Sequence, residues 1–128
     1  MNAAGRHFRV LVGHYAVCRL NPDAPVPTWA KGPFVSVTAT RDELSVVCPA
    51  ERVPDGVQAE RGWRVLQLVG PFAFDEVGVM ASVAAPLAQA GISLLAMATY
   101  DTDYVLVREG ACERAIATLR AAGHTPVD

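Results

Sequence analysis

Long hydrophobic runs are missing from this chain. Hydrophobic residues make up 52% of it, yet no apolar stretch approaches the roughly 20 residues that a membrane-crossing helix needs. The N-terminus, MNAAGRHFRVLVGHYAV, holds one mildly apolar run of strand length and nothing like a cleavable leader. A soluble, cytoplasmic protein with no membrane partner is therefore expected. Charge of one sign is also scarce: 11 basic and 13 acidic residues are spread along the sequence for a net −2. Without a basic stripe or an aromatic-and-arginine platform, nucleic acid is excluded as an expected partner. Cysteine is sparse and odd in number. Cys18, Cys48 and Cys112 sit in apolar surroundings with no CxxC or Cys/His spacing, which argues against a disulfide frame and a zinc site. They read as buried free thiols. No GxSxG, P-loop, GxGxxG or HExxH occurs. His7, His14 and His124 lie in apolar or terminal contexts, far in sequence from the acidic loops, and read as surface or packed histidines. No catalytic residue, metal or cofactor is assigned.

What is present fits one ordinary domain, or two small half-domains, at 128 residues. That length buries roughly two-thirds of the surface exposed by the unfolded chain. The apolar excess suggests a generous core and some surface sealed in an oligomer. Residues 8–20, FRVLVGHYAVCRL, read as strand with a break near Gly13-His14. Residues 21–33 carry four of the nine prolines and Gly32, so they form a loop, with Trp29 anchoring it on the core. FVSVTAT alternates with period two, Thr40-Arg41-Asp42-Glu43 is a polar turn, and LSVVC returns as the second strand of a hairpin. Residues 50–62, charged and turn-rich, are expected to join two halves, 1–60 and 61–128.

The second half is more regular. WRVLQLV (63–69) reads as strand. Residues 77–90 read as a helix stopped at Gly91, with Pro86 inside it removing a hydrogen bond from the carbonyl of Ser82. ISLLAMA and DYVLVR are strands around an acidic turn. Cys112, Ala115, Ile116, Leu119 and Ala122 share a face of a second helix ended by Gly123, and 125–127 form a short last strand. The sum is an α+β, ferredoxin-like βαββαβ unit. The first half, three strands without a long helix, reads as a reduced copy of it.

Residues 78–109, with the Pro-Leu-Ala helix, the Gly-Ile-Ser turn and the run Thr-Tyr-Asp-Thr-Asp-Tyr-Val-Leu-Val-Arg-Glu, resemble an ACT domain. More narrowly, the chain is similar to small proteins related to the ACT repeats of CASTOR-type arginine sensors, and FVSVTATRDELSVVCP looks like the Thr-x-x-Glu-x-Ser hairpin of that branch. The resemblance implies two ACT-like units, the first reduced, in a regulatory protein that binds an amino acid between paired units of a homodimer. It places ligand contacts at Ala73, Phe74, Glu76, Val77, Gly78 and Val79, with Thr99, Tyr100 and Asp103. A facing helix from a second unit is implied to add Ser82 and Val83.

The residues allow this chemistry and blander alternatives. Glu76 and Asp103 are carboxylate acceptors for an α-amino group or a guanidinium, which favours arginine or another basic amino acid without excluding a neutral one. Glu76 and Asp75 equally suit a helix N-terminus, and Asp101 and Asp103 suit a turn. Gly78 costs roughly 1 kcal/mol inside a helix, which suggests close approach by a ligand or neighbouring backbone. Met80 and Met97 read as core filler. A dimerising interaction module without a ligand stands as the alternative, and a small carboxylate-dependent enzyme as a third reading.

Overall fold

The computed structural model describes residues 5–128; the first four residues of the N-terminal stretch read above as leaderless lie outside it. In chain order the elements are β1 (His7–Val10), β2 (Tyr15–Leu20), β3 (Ser36–Ala39), β4 (Leu44–Pro49), β5 (Gln58–Leu68), α1 (Val79–Gln89), β6 (Leu94–Ala98), β7 (Asp103–Arg108), α2 (Cys112–Ala121) and β8 (Thr125–Pro126). The strand expected over 8–20 is indeed broken, with Gly13 at φ +93° between β1 and β2. The chain divides there into two compact units. One is Gly13–Trp63; the other joins the residues up to Val12 to Arg64–Asp128.

The unit of residues 13–63 is an antiparallel sheet in the order β3-β4-β2-β5. Its hairpin pairs Ala39 with Leu44 across the polar turn. Thr40 closes that turn, its hydroxyl accepting the N–H groups of Asp42 and Glu43 at 3.1 Å each. Period two then decides the core: Leu44, Val46 and Cys48 from β4 share one face with Ala16 and Cys18 from β2. Ala30 and Val53 pack there too, and Trp29 lies against the cluster half-buried, as an anchor of the proline-rich loop should. Regular helix in this unit is limited to a single 3-10 turn, Ala50–Arg52. Arg61 donates to the carbonyls of Ala50 and Val53 at 3.0 and 3.2 Å.

One boundary differs from the sequence reading. β5 begins at Gln58, not Trp63. The charged stretch pairs with β2, Arg19 opposite Gln58 and Val17 opposite Glu60. The register slips between Tyr15 and Val17, beside Gly62 at φ +83°. A bulge of this kind breaks the alternation by which a strand is recognised in sequence.

The second unit carries the helices. Its strand order is β6-β7-β5-β1-β8. In the run β5-α1-β6-β7-α2-β8, the N-terminal strand β1 therefore stands between the first and last strands. It is antiparallel to β5, with Phe8 opposite Leu68, and parallel to β8. Val79, Val83 and Leu87 of α1, and Cys112, Ala115 and Leu119 of α2, bury against one face of this sheet, on Phe8, Leu66, Leu68, Val105 and Val107. Both helices cover that face, as the ferredoxin-like reading expected. They end alike: Gly91 and Gly123 take positive φ, and the N–H groups of Ile92 and His124 return to the carbonyls of Leu87 and Leu119 at 2.9 and 3.0 Å.

Among the described residues the three cysteines are free and buried. Burial raises all three thiol pKa values, that of Cys48 to about 11. No helix among the described residues is long and apolar enough to cross a membrane.

Candidate functional site

Two loops of the helical unit meet at the end of its sheet. The first, residues 69–78, leaves β5 through a cis Gly70-Pro71 bond and enters α1. The second is the acidic turn between β6 and β7. They are tied by the Phe72 N–H, which donates to the Asp101 carbonyl at 2.9 Å. The buried Thr102 hydroxyl donates to the Leu68 carbonyl at 2.7 Å. The approach is tight: a Cβ on Gly70 would lie 2.8 Å from the Asp101 carbonyl oxygen. The turn is closed from within by the Thr99 N–H, which donates to the Thr102 carbonyl at 2.8 Å.

Between these loops lies a cavity of about 200 Å³ lined by Phe72, Ala73, Phe74, Glu76, Val79, Ala98, Thr99, Tyr100, Asp101, Thr102 and Asp103. Of the residues singled out from sequence, Ala73, Phe74, Glu76, Val79, Thr99, Tyr100 and Asp103 thus share one wall-to-wall space. Phe74 and Tyr100 stack edge to face at 4.9 Å and remain largely exposed. Phe72, Ala98 and Thr102 were not anticipated. Phe72 and Thr102 belong to the contacts that hold the loops together, which no local motif announces.

Four other expected contacts lie off this wall. Val77 is 90% exposed. Gly78 is not within the helix but caps it at φ +83°, and a Cβ there would meet nothing within 4 Å. Its left-handed backbone accounts for the glycine, and no neighbouring backbone of this chain approaches it. Val83 is fully buried in the unit's core, so its side chain offers no surface to a ligand. Ser82 is turned to its own chain, its hydroxyl donating to the Val79 carbonyl at 2.6 Å.

Beside the cavity runs a polar network that joins β1, α1 and β8. Pro86 has no N–H, so the Ser82 carbonyl loses its helical partner. His124, only 6% exposed, fills the gap with Nε2 at 2.7 Å from that oxygen. A carbonyl only accepts, so Nε2 carries the proton. Nδ1 is then the acceptor for the Arg6 backbone N–H at 2.9 Å. The Arg6 side chain continues the network. Its Nη1 donates to Glu76 Oε2 at 2.6 Å, its Nε reaches the Ser82 hydroxyl at 3.4 Å, and its guanidinium lies 5.4 Å from the centre of the Phe72 ring. Nothing in sequence linked Arg6 to Glu76, because the insertion of β1 into the sheet is what brings them together.

The helical unit is thus ferredoxin-like, with a small polar and aromatic cavity between its helix-entry loop and its hairpin turn. The sequence pattern of the ACT domain matches residues 58–121, and the chain belongs to the ACT domain family. A further family pattern, described as an N-terminal domain, matches residues 13–56. The chain is similar to the cytosolic arginine sensor for mTORC1 subunit 1 of Homo sapiens, 39% identical over 59 residues, which is 45% of this chain and 18% of the sensor. Against the Mus musculus sensor it is 32% identical over 85 residues, 60% of this chain and 26% of the sensor. The matched stretches thus span about a quarter or less of those relatives. A protein from Agobacterium tumefaciens has a crystal structure that matches with a TM-score of 0.92 at 40% identity, covering 98% of this chain and 94% of that one. The ligand-free regulatory subunit of aspartate kinase from Thermus thermophilus shares the fold, with a TM-score of 0.66 at 13% identity over 94% of this chain and 99% of that one.

Proposed function

We propose that this protein is a cytosolic regulatory module that holds an amino acid in the cavity between the helix-entry loop and the hairpin turn. The observation that carries this reading is the convergence of Glu76, Asp101 and Asp103 with Phe74, Thr99 and Tyr100 on one small space. Its size falls below the roughly 300–1,000 Å³ typical of pockets for drug-sized ligands and suits a smaller metabolite. Asp103 is the acceptor for the α-ammonium. The first N–H groups of α1, which have no carbonyl partner within the helix, are the donors for the α-carboxylate. The name of the relatives, a cytosolic arginine sensor, supports an amino-acid ligand. Exposed Phe74 and Tyr100 on the cavity wall, with Val77 exposed in the same helix-entry loop, favour completion of the site by a second copy, so that occupancy changes assembly rather than driving turnover.

The experiment is thermal unfolding of the purified protein against each common amino acid. A ligand at a hundredfold excess over its Kd adds about 2.7 kcal/mol. A shift with one amino acid, abolished by Asp103→Asn, is expected; size-exclusion chromatography with and without it then reads the change in assembly. The exposed aromatic pair also supports an interaction module that dimerises without a ligand. Constant dimerisation with silence across all amino acids at millimolar concentrations selects that reading.

A further inference from the structure

The resemblance that pointed to Glu76 as a ligand contact left its charge unaccounted for, and Arg6 accounts for it. Its guanidinium lies behind the cavity wall, with Nη1 2.6 Å from the carboxylate of Glu76 and its centre 5.4 Å from the ring of Phe72, two residues that line the cavity. The pair is partly shielded, the side chains being 16% and 36% exposed, so this contact is not a fully solvated surface pair. Arg6 is also held from its backbone side. The N–H bond to His124 Nδ1 fixes where the side chain starts, and Ser82 supports it midway. Three segments thus cooperate to hold a cation of the chain itself on the Glu76 carboxylate.

We infer that Arg6 sets the ligand class: with Glu76 already neutralised from within, the cavity takes an amino acid whose side chain is uncharged. This rests on the proposed amino-acid site and names its specificity. The charge count is direct. Of the three carboxylates on the wall, Glu76 is matched by Arg6, while Asp101 is exposed and its field is screened by water. Asp103, half-buried at the start of β7, remains for the single α-ammonium of the ligand. A lysine or arginine side chain brings a second cation to a carboxylate that Arg6 already neutralises, and an aspartate or glutamate side chain meets no unpaired cation among the described residues that line the cavity. Like-charge juxtaposition is how a site rejects a competitor without enlarging its own contacts.

The test measures thermal unfolding of three full-length proteins, the wild type, Arg6→Gln and Glu76→Gln. Each is titrated with alanine, valine, threonine and glutamine, with arginine and lysine, and with aspartate and glutamate. The wild type is expected to respond to a neutral amino acid and at least about tenfold more weakly to arginine and lysine. Arg6→Gln keeps the backbone bond to His124 and uncovers Glu76, so the preference moves to arginine and lysine. Glu76→Gln uncovers Arg6, so the preference moves to aspartate and glutamate. A wild type that prefers arginine or lysine, or variants that keep the wild-type ranking, overturns the role of Arg6 and leaves the cavity reading standing. Silence of all three proteins with every amino acid overturns the cavity reading, and this inference with it.

Discussion

The unit of residues 13–63 covers its sheet with a proline-rich loop and a 3-10 turn. The helical unit covers its sheet with α1 and α2. The two cores differ accordingly. Beneath the loop the buried cluster is built from small and medium side chains, Ala16, Cys18, Ala30, Val46 and Cys48 with Leu44 the largest, and the bulky buried residues of this unit, Tyr15, Phe34 and Trp63, lie outside that cluster. Beneath the helices it takes in Phe8, Leu66, Leu68, Leu87, Ile92 and Leu119. A loop lies close to a sheet and leaves little depth to fill, whereas helices stand off by a side-chain layer and need long apolar residues to fill the gap. Helices also bring polar ends and, at Pro86, an interrupted ladder. Those leftover groups are where the helical unit acquires the His124 network and the cavity.

The largest expected effect tests that difference in depth. Leu87→Ala, in a fully buried position, should cost roughly 2–5 kcal/mol in denaturant unfolding, and Val46→Ala clearly less, because less volume is removed from a shallower layer. Equal losses would break the comparison. The next effect belongs to the helical unit alone. His124→Ala strands the Ser82 carbonyl and the Arg6 N–H, and about 2 kcal/mol of destabilisation is expected. Restoring an ordinary alanine at Pro86 in that variant returns a helical N–H to Ser82 and should recover part of the loss. A smaller effect is expected for Gly78→Ala, about 1–2 kcal/mol from a left-handed backbone. The ligand response should survive it, since the new methyl enters open space; a response lost with stability retained would restore the close-approach explanation.

The last prediction concerns pH and sharpens the comparison from the side of the loop-covered unit. Burial and the neighbouring Cys18 and Glu51 raise Cys48 from the ordinary value of 9.0 to about 11. The unfolded thiol therefore ionises first as pH rises. Between about 9 and 11 the unfolded state binds fewer protons than the folded state, and stability falls with rising pH; below about 8 this contribution is flat. Denaturant midpoints at pH 8 and 10 should differ, and the difference should shrink in Cys48→Ala.

Much of this organisation was legible in the residues. Period two over residues 34–40 and a polar turn marked the hairpin, and two glycines marked the helix ends. The resemblance placed contacts on the helix-entry loop and the acidic turn, and seven of those residues line a common cavity. Local pattern failed where a long-range partner decided the outcome. The charged residues from Gln58 onward join β5 only because β2 offers them a ladder. Val83, which the resemblance offered as a contact from a facing helix, has its side chain in the core of its own unit. Gly78 looked like a helical residue and is a left-handed cap.

By itself, then, the sequence determined the elements and their amphipathic faces, because these follow from short-range periodicity and turn residues. Only the tertiary structure decided that β1 enters the sheet between β5 and β8. It also decided that Arg6 meets Glu76 across |i−j| = 70 and that His124 repairs the carbonyl left by Pro86. Such contacts depend on closing loops of many residues, whose entropy is met by the whole core and not by any signal near the partners themselves.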